Sequence, residues 1–283
     1  MRALPVGVPK LMVSTVASGD TRPFVGAVDI AGVNRISAQI MTNAAGMIAG
    51  AVKSAAPDLG ADRPLIGATM FGVTTACVTA ARERLEELGY EVLVFHATGT
   101  GGQSMEALAK AGFLAGILDA TTTELADELV GGVLSAGPDR LEAAGELGLP
   151  QVVSLGALDM VNFGPRESVP EKFAGRNLYV HNPTITLMRT TPDECRELGR
   201  QIGRKLSAAT GPTVLYVPLR GVSAIAVEGQ VFHDADADAA LIDGLHETLG
   251  PNVEVHELDT DVNDPAFALV MANRLHALIQ ETA

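Results

Sequence analysis

The chain has 283 residues, 47% of them hydrophobic and 4% aromatic, and a formal net charge of −14 at pH 7. This length and apolar content predict a globular protein with an ample core, and the spread acidic charge disfavours nucleic acid and anionic membranes, because both attract basic patches. Cys77 and Cys195 lack metal-ligand spacing, and no apolar run approaches the roughly 20 residues of a membrane span. We therefore expect a cytoplasmic protein.

Short apolar segments alternate with helix-forming segments along the whole chain. The first strand is predicted at residues 9–15, and a long helix of small residues follows at 34–56. Further strands are predicted at residues 65–70, 92–95, 113–118, 150–155, 177–181, 213–217 and 252–258. Helices are predicted at residues 75–88, from 104, after the threonines at 121–123, at 138–147, at 192–209 with Thr191 as its cap, between the last two strands, and from 264.

This alternation is typical of βαβ units, which build a parallel sheet with helices on both faces. We therefore predict an α/β fold with a doubly wound, mainly parallel, Rossmann-like sheet of about seven strands. No linker or low-complexity segment interrupts the chain, so a single domain is predicted over residues 1–283.

An internal similarity concerns the beginning of the chain. The segment GVPKLMVSTVASGD, from Gly7, shares its pattern with GLPQVVSLGALD, from Gly148. The second copy follows a full predicted helix, whereas the first has almost nothing before it. This difference predicts that the chain begins inside a structural unit whose earlier part is missing or supplied by another polypeptide; a coincidental strand entry is the alternative.

The most distinctive stretch is YEVLVFHATGTGGQSME, residues 90–106. An apolar strand ends in a loop rich in glycine and threonine at residues 96–102, and a helix is predicted from Ser104. Glycines allow successive N–H groups to converge, and a helix N-terminus adds partial positive charge, so such a loop suits an anion, most often a phosphate. The alternative is a tight turn with nothing bound.

Ligands of open parallel sheets bind outside the carboxyl ends of the strands. In this sequence the loops at those ends are rich in Ser, Thr and Gly, which indicates recognition of phosphate or carboxylate. We expect a nucleotide or another phosphorylated small ligand there. The candidate contacts are Ser14, Thr15, Ser18, Gly19, Gly72, Thr74, Thr75, His96, Thr98, Gly99, Thr100, Gly101, Gly102, Thr121, Thr122 and Arg189.

Standard nucleotide motifs fit this sequence poorly. A Walker loop needs Gly-Lys-Ser/Thr, and that tripeptide does not occur. Gly99, Gly101 and Ser104 approach the dinucleotide fingerprint, with Asp119 at the position of the ribose-binding acid, but the third glycine is missing. Arg189 is the best candidate cation for a phosphate, although it is also placed to pair with Glu194 or another acid.

Two histidines, His96 and His181, are predicted at strand ends and are candidates for catalysis. Either is suited to acid–base chemistry, with Asp119, Glu124 or Asp159 as a partner, and together with a carboxylate they would be able to ligate a metal. The alternative, which we favour, is that each histidine fixes its own loop, and no metal is predicted. Cys77, near a helix N-terminus, is placed for a lowered pKa or for simple packing.

At these same loops the sequence resembles the tobamovirus-resistance-like (Tm-like) ATP-binding proteins, an uncharacterised family of bacteria and plants. The segments that carry the resemblance are MRALPVGVPKLMVSTVASGD, DIAGVNRIS, TMFGVTTACV, LVFHATGTGGQSME, LDATTTELAD, VVSLGALDMVNFG and YVHNPTITLMRTTP. The resemblance implies a Rossmann-like fold in two similar halves, ATP as ligand, with Mg²⁺ as its companion ion, and a homodimer. It also implies a separate chain that supplies the first half, or a barrel protein resembling phosphoenolpyruvate hydrolases.

The chain departs from that family in two ways. It looks like the second half of the family module alone, with the N-terminal half absent, and the segment between Gly26 and Asp29 is shorter than in the family. The sequence leaves three functions open. They are binding of a phosphorylated ligand, catalysis on a small carboxylate or sugar acid with His96 as acid or base, and a non-catalytic interaction module.

Overall fold

The computed structural model describes residues 8–11, 33, 35–54 and 63–282. The chain separates into two units, Met1–Asp62 and Arg63–Ala283, and each is described by itself. Four candidate contacts, Ser14, Thr15, Ser18 and Gly19, lie outside the described residues, as does most of the strand predicted at residues 9–15. The single-domain prediction stays a prediction.

The described part of the first unit contains helix α1, Arg35–Lys53, inside the helix predicted at residues 34–56. Alanine is the commonest residue in its sequence, and alanine is the best helix former. The remaining elements all belong to the second unit.

Nine strands occur in the described part of the second unit. They are β1 Leu65–Met70, β2 Glu91–His96, β3 Leu114–Thr121, β4 Gln151–Gly156, β5 Met160–Phe163, β6 Leu178–Asn182, β7 Ile185–Arg189, β8 Thr213–Pro218 and β9 Glu254–Leu258. Six of them form a sheet in the order β2-β1-β3-β4-β8-β9, and every neighbouring pair in it is parallel.

Seven α-helices lie between or after these strands in the described part of the second unit. They are α2 Thr75–Glu87, α3 Thr100–Lys110, α4 Glu124–Val130, α5 Ala143–Leu147, α6 Pro192–Ser207, α7 Ala235–Thr248 and α8 Pro265–Thr282. Helix α6 starts as predicted: the Thr191 hydroxyl accepts a hydrogen bond from the Glu194 N–H at 3.2 Å, and the Glu194 carboxylate accepts one from the Thr191 N–H.

Consecutive residues of the central strands pack against different helices, which shows that helices cover both faces of the sheet. Val152 and Val214 pack in the core that contains α2 and α8, whereas Val153 and Leu215 pack in the core that contains α4, α6 and α7. Successive side chains of a strand point to opposite faces. The predicted doubly wound α/β fold is therefore confirmed.

The structure differs from the predicted elements around residues 157–191. Strands β5, β6 and β7 form a second, antiparallel sheet in the order β5-β7-β6, between β4 and α6. Only the β6 segment was predicted as a strand, and the main sheet has six described strands instead of about seven. Short strands of an insertion carry little periodicity, so their pairing is difficult to infer from sequence.

The insertion packs over the middle of the carboxyl edge of the main sheet. Val73, which follows β1, lies in one apolar cluster with Met160 of β5, Leu187 of β7 and Phe232 of the loop after β8. The Ala224 N–H also donates to the carbonyl of Val73 at 3.0 Å. Val73, after β1, and Gly156, at the end of β4, are both buried.

No helix in the described ranges combines the length and the apolar character that crossing a bilayer requires.

Candidate ligand site at the carboxyl edge of the sheet

The strand order places a switch point between β1 and β3. From β1 the chain passes through α2 to β2 on one side, and from β2 it returns through α3 to β3 on the other side. Ligands of doubly wound folds bind in the crevice outside such a point. The candidate residues that follow β1, β2 and β3 are therefore at the predicted edge.

The glycine-rich loop holds an anion that belongs to the chain itself. The N–H groups of Gly99 and Gly102 donate to Oε1 of Glu124 at 2.7 and 3.0 Å, and Glu124 is fully buried. Helix α3 begins at Thr100 instead of the predicted Ser104, so Gly101 and Gly102 belong to its first turn. A carboxylate suits this position, because it satisfies N–H groups that an N-terminal turn leaves without partners.

A buried arginine that no sequence motif marks balances this carboxylate. Nε of Arg140 donates to Oε2 of Glu124 at 2.6 Å, and its Nη1 and Nη2 donate to the two oxygens of Asp119 at 2.5 and 2.7 Å. The Arg140 side chain is 0% exposed. Burial opposes its charge, but Asp119, and then Glu124 and Glu106, outweigh burial and raise the pKa of Arg140.

We call Asp119, Glu124 and Arg140 the Arg140 cluster. It explains why Asp119 is not available to a ribose, since both of its oxygens are bound and Thr69 donates a further hydrogen bond to it at 2.7 Å. A signal for Arg140 existed in the sequence: Asp119 is predicted at the end of an apolar strand and Glu124 in the helix start after it, and acids that become buried there require a cation, because unpaired buried charges are rare.

The hydroxyls of Thr74, Thr121 and Thr122 lie at the predicted edge, but they bond to other groups of the protein. Oγ1 of Thr74 and Oγ1 of Thr121 lie 2.7 Å apart, and the Thr122 hydroxyl donates to the carbonyl of Ser154 at 3.2 Å. All three threonines are fully buried. These hydroxyls therefore join the ends of β1, β3 and β4 and are not presented to solvent.

Another subset of the candidates does face solvent, at the ends of the adjacent strands β1 and β2. Gly72, Thr75, His96 and Thr100 are exposed, and Thr98 is partly exposed. The two strands pair in register up to Met70 and His96, so the residues that follow them start side by side. Gly72 has no atom within 4 Å of the position a Cβ would take. This subset is called the β1–β2 rim.

Arg189 and His181 are placed on the antiparallel insertion. Arg189 is 5% exposed, donates from Nη2 to Asp238 at 2.6 Å and from Nε to the Phe232 carbonyl at 2.8 Å, so the alternative of pairing with an acid is the one the structure shows. Glu194 pairs with Arg176 instead. His181 lies exposed on β6, whereas His96 ends β2 of the main sheet.

The contacts also bear on the catalytic alternatives. In the described ranges, no three His, Cys, Asp or Glu side chains are arranged to hold a metal ion, so the His96 and His181 metal alternative gains no support. Burial, with a smaller contribution from Asp261, raises the pKa of Cys77 to about 12, so the suggested lowering is wrong. The thiol is protonated and serves as a core residue.

Asp159, like Asp127, is a buried carboxyl whose pKa is raised by burial. It is 0% exposed, and burial raises its pKa from 3.8 to about 6, although Arg189 and the Ser223 hydroxyl oppose the rise. An acid with a raised folded-state pKa stabilises the fold at pH below 3.8, and this contribution is lost as the pH rises through about 6.

The substitution Asp159→Asn is therefore expected to raise the free energy of unfolding, relative to the unmodified chain, more at neutral pH than at acidic pH. The stability of Asp159→Asn relative to the unmodified chain should rise by on the order of 2 kcal/mol between pH 4 and pH 7, because the amide does not ionise. Urea unfolding at a series of pH values measures this difference. A difference that is independent of pH would show that Asp159 titrates normally.

Comparison with known proteins identifies the family of the chain. The model of the uncharacterised protein family UPF0261, C-terminal domain, matches residues 63–279. This chain belongs to the UPF0261 family. The model of the UPF0261 N-terminal domain matches residues 1–57, so the expectation that the chain represents only the second half of the family module is wrong.

Relatives of this UPF0261 chain match it over almost its whole length. A UPF0261 protein of Clostridium tetani is 56% identical over 99% of this chain and 72% of its own. The ToMV resistance protein Tm-1(GCR237) of Solanum lycopersicum is 43% identical over 94% of this chain and 38% of its own. The resemblance to Tm-like proteins is thus confirmed at the level of the family.

Solved structures add little to this. The crystal structure of PytH_H230A shares 15% identity with this UPF0261 chain, at a TM-score of 0.38, over 78% of this chain and 99% of that one. A likeness of this size supports no argument about function.

Proposed function

We propose that this UPF0261 chain binds the phosphate groups of a nucleotide at the β1–β2 rim. ATP is the nucleotide that the resemblance to Tm-like proteins implies. The observation that carries the proposal is the open backbone at Gly72, beside the exposed hydroxyls of Thr75, Thr98 and Thr100. An unobstructed glycine at the start of a helix permits close approach of a phosphate to backbone N–H groups.

The Arg140 cluster narrows the set of ligand contacts. Gly99 and Gly102 already donate to Glu124, and the hydroxyls of Thr74, Thr121 and Thr122 are buried, so they support the rim from beneath. The proposed contacts are the N–H groups around Gly72 and the exposed side chains of the rim. Mg²⁺ would arrive with the phosphates, which together with water usually supply most of its ligands.

The substitution Gly72→Glu tests this proposal directly. A carboxylate at the rim is expected to repel the phosphates and to weaken binding of Mg²⁺-ATP at least tenfold, measured by titration calorimetry and by the ATP-dependent rise in melting temperature. Gly175→Glu is the matched control, because Gly175 is also an exposed glycine with no neighbour within 4 Å of its Cβ position. Equal ATP affinity in both variants, or no binding by the unmodified chain, would contradict the proposal.

A catalytic role of His96 is the second candidate. His96 is exposed at the end of β2 and so is accessible to a substrate, but Asp119 and Glu124 are directed to Arg140. Turnover of a small carboxylate that His96→Ala abolishes would favour it. A homodimer and an association with a separate barrel protein are also proposed, because the resemblance to Tm-like proteins implies them.

A further inference from the structure

A cavity lies at the other end of the main sheet, outside the carboxyl ends of β8 and β9. Its volume is about 690 Å³, within the range of about 300–1,000 Å³ typical of small-molecule sites. Arg220 follows β8, Asp261 follows β9, and Asp238 lies in the first turns of α7. None of the residues that line this cavity belongs to the β1–β2 rim.

The charged groups of this cavity are predominantly acidic. Glu228, Asp238 and Asp261 line it, against Arg220 and His233. Arg220 is paired with Asp259 through two hydrogen bonds of 2.6 Å, and Asp238 is paired with Arg189, which leaves Glu228 and Asp261 as the lining acids outside these ion pairs. An anionic ligand is therefore disfavoured here, in contrast to the rim, and a cationic group is favoured.

Hydrogen bonds from residues outside the cavity hold Asp238, which forms part of its wall. Asp238 accepts a hydrogen bond of 2.6 Å from the buried guanidinium of Arg189, and Arg189 is anchored in turn by the Phe232 carbonyl and the Thr190 hydroxyl. The imidazole Nδ1 of His233 lies 3.3 Å from the Ala226 carbonyl. Polar groups held in this way are preorganised, which lowers the entropic cost of binding.

The lining of the cavity bears on the kind of cation. In the part of the chain that the structure describes, no three His, Cys, Asp or Glu side chains are arranged to hold a metal ion, so the cavity offers no ready-made metal site. Leu219, Val227 and Ile242 supply apolar surface between the charged groups. Apolar walls with separated carboxylates suit a ligand with a hydrocarbon body and a cationic end.

We propose that the cavity between β8, β9 and α7 binds a small organic cation, with a protonated amine or guanidinium facing Glu228 and Asp261 and a short hydrocarbon body against Val227 and Ile242. This is a second ligand site, independent of the proposed nucleotide site.

Hexylammonium and hexanoate are the probes, because they share a hydrocarbon chain and differ in the sign of the charge. Saturation-transfer NMR titrations of the full chain are expected to show hexylammonium binding at least tenfold more tightly than hexanoate. Glu228→Gln should weaken hexylammonium binding at least threefold. Ala239→Phe, which fills the cavity without altering charge, should abolish it, with the fold checked by circular dichroism.

One control variant tests whether binding depends on this cavity and its charge. Glu146→Gln removes a carboxylate from another cavity, between α5 and α6, and should leave hexylammonium binding unchanged. Equal binding of the two probes, no detectable binding of hexylammonium, or affinity that Glu228→Gln and Ala239→Phe leave intact would overturn the proposal. None of these results depends on whether the chain binds ATP.

Discussion

Replacing Arg140 with methionine is expected to lower the free energy of unfolding by about 3–5 kcal/mol, because it leaves a buried charge cluster without its cation. Arg140 is fully buried and bonds both oxygens of Asp119 and one oxygen of Glu124. Methionine fills similar volume, so the loss reports the charge and its hydrogen bonds more than an empty cavity. Urea unfolding followed by circular dichroism measures it.

The loss in Arg140→Met should also depend on pH. Buried carboxylates that lack a cation take up protons in the folded state, so the variant should recover part of its stability relative to the unmodified chain as the pH falls from 7.5 to 5. Arg196→Gln is the control, since Arg196 makes two ion pairs but is exposed, and it should have a much smaller effect. A small and pH-independent loss in Arg140→Met would show that the cluster does not stabilise the fold.

Substituting alanine for Gly102 is also expected to be strongly destabilising. A Cβ at this position would lie 2.1 Å from Oε2 of Glu124 and 2.6 Å from Nε of Arg140, so the carboxylate would have to move. That movement breaks the hydrogen bonds from Gly99 and Gly102 and separates Glu124 from Arg140. We expect a loss of about 2–4 kcal/mol, as for other changes that break a buried polar network.

Gly72→Ala is the matched control for Gly102→Ala. Both glycines lie at the beginning of a helical segment, but the Cβ position of Gly72 is open, so its stability should change by no more than about 0.5 kcal/mol. Thermal and urea unfolding of the two variants make the comparison. If Gly102→Ala proved as stable as Gly72→Ala, the Glu124 carboxylate would not be bound by the N–H groups at the start of α3.

These two variants address one physical point about glycine-rich loops. The sequence pattern at residues 96–102 indicates a position that favours negative charge, and the structure agrees, but the charge comes from Glu124. Convergent N–H groups attract any anion, and an internal carboxylate has no translational entropy to lose. The pattern therefore predicts the electrostatics of the loop, while the identity of the anion depends on what the fold brings near it.

The sequence by itself determined the fold class and the edge at which ligands are expected. The alternation of apolar strands and amphipathic helices requires a layered α/β sheet, and the glycines and hydroxyls after β1, β2 and β3 mark its carboxyl edge. These features depend on periodicity and turn residues within short segments, so residues that are neighbours in the sequence are enough to predict them.

Only the tertiary structure decided which of those residues face a ligand. Thr74 and Thr121 hydrogen-bond to each other across 47 positions of sequence, and Arg140 reaches Asp119 and Glu124 from a loop with no recognisable motif. The acidic cavity at β8 and β9 likewise combines residues from the loops after both strands and from α7. Strand order and side-chain direction create these contacts, and the two are properties of the packed sheet that no single segment of the chain carries.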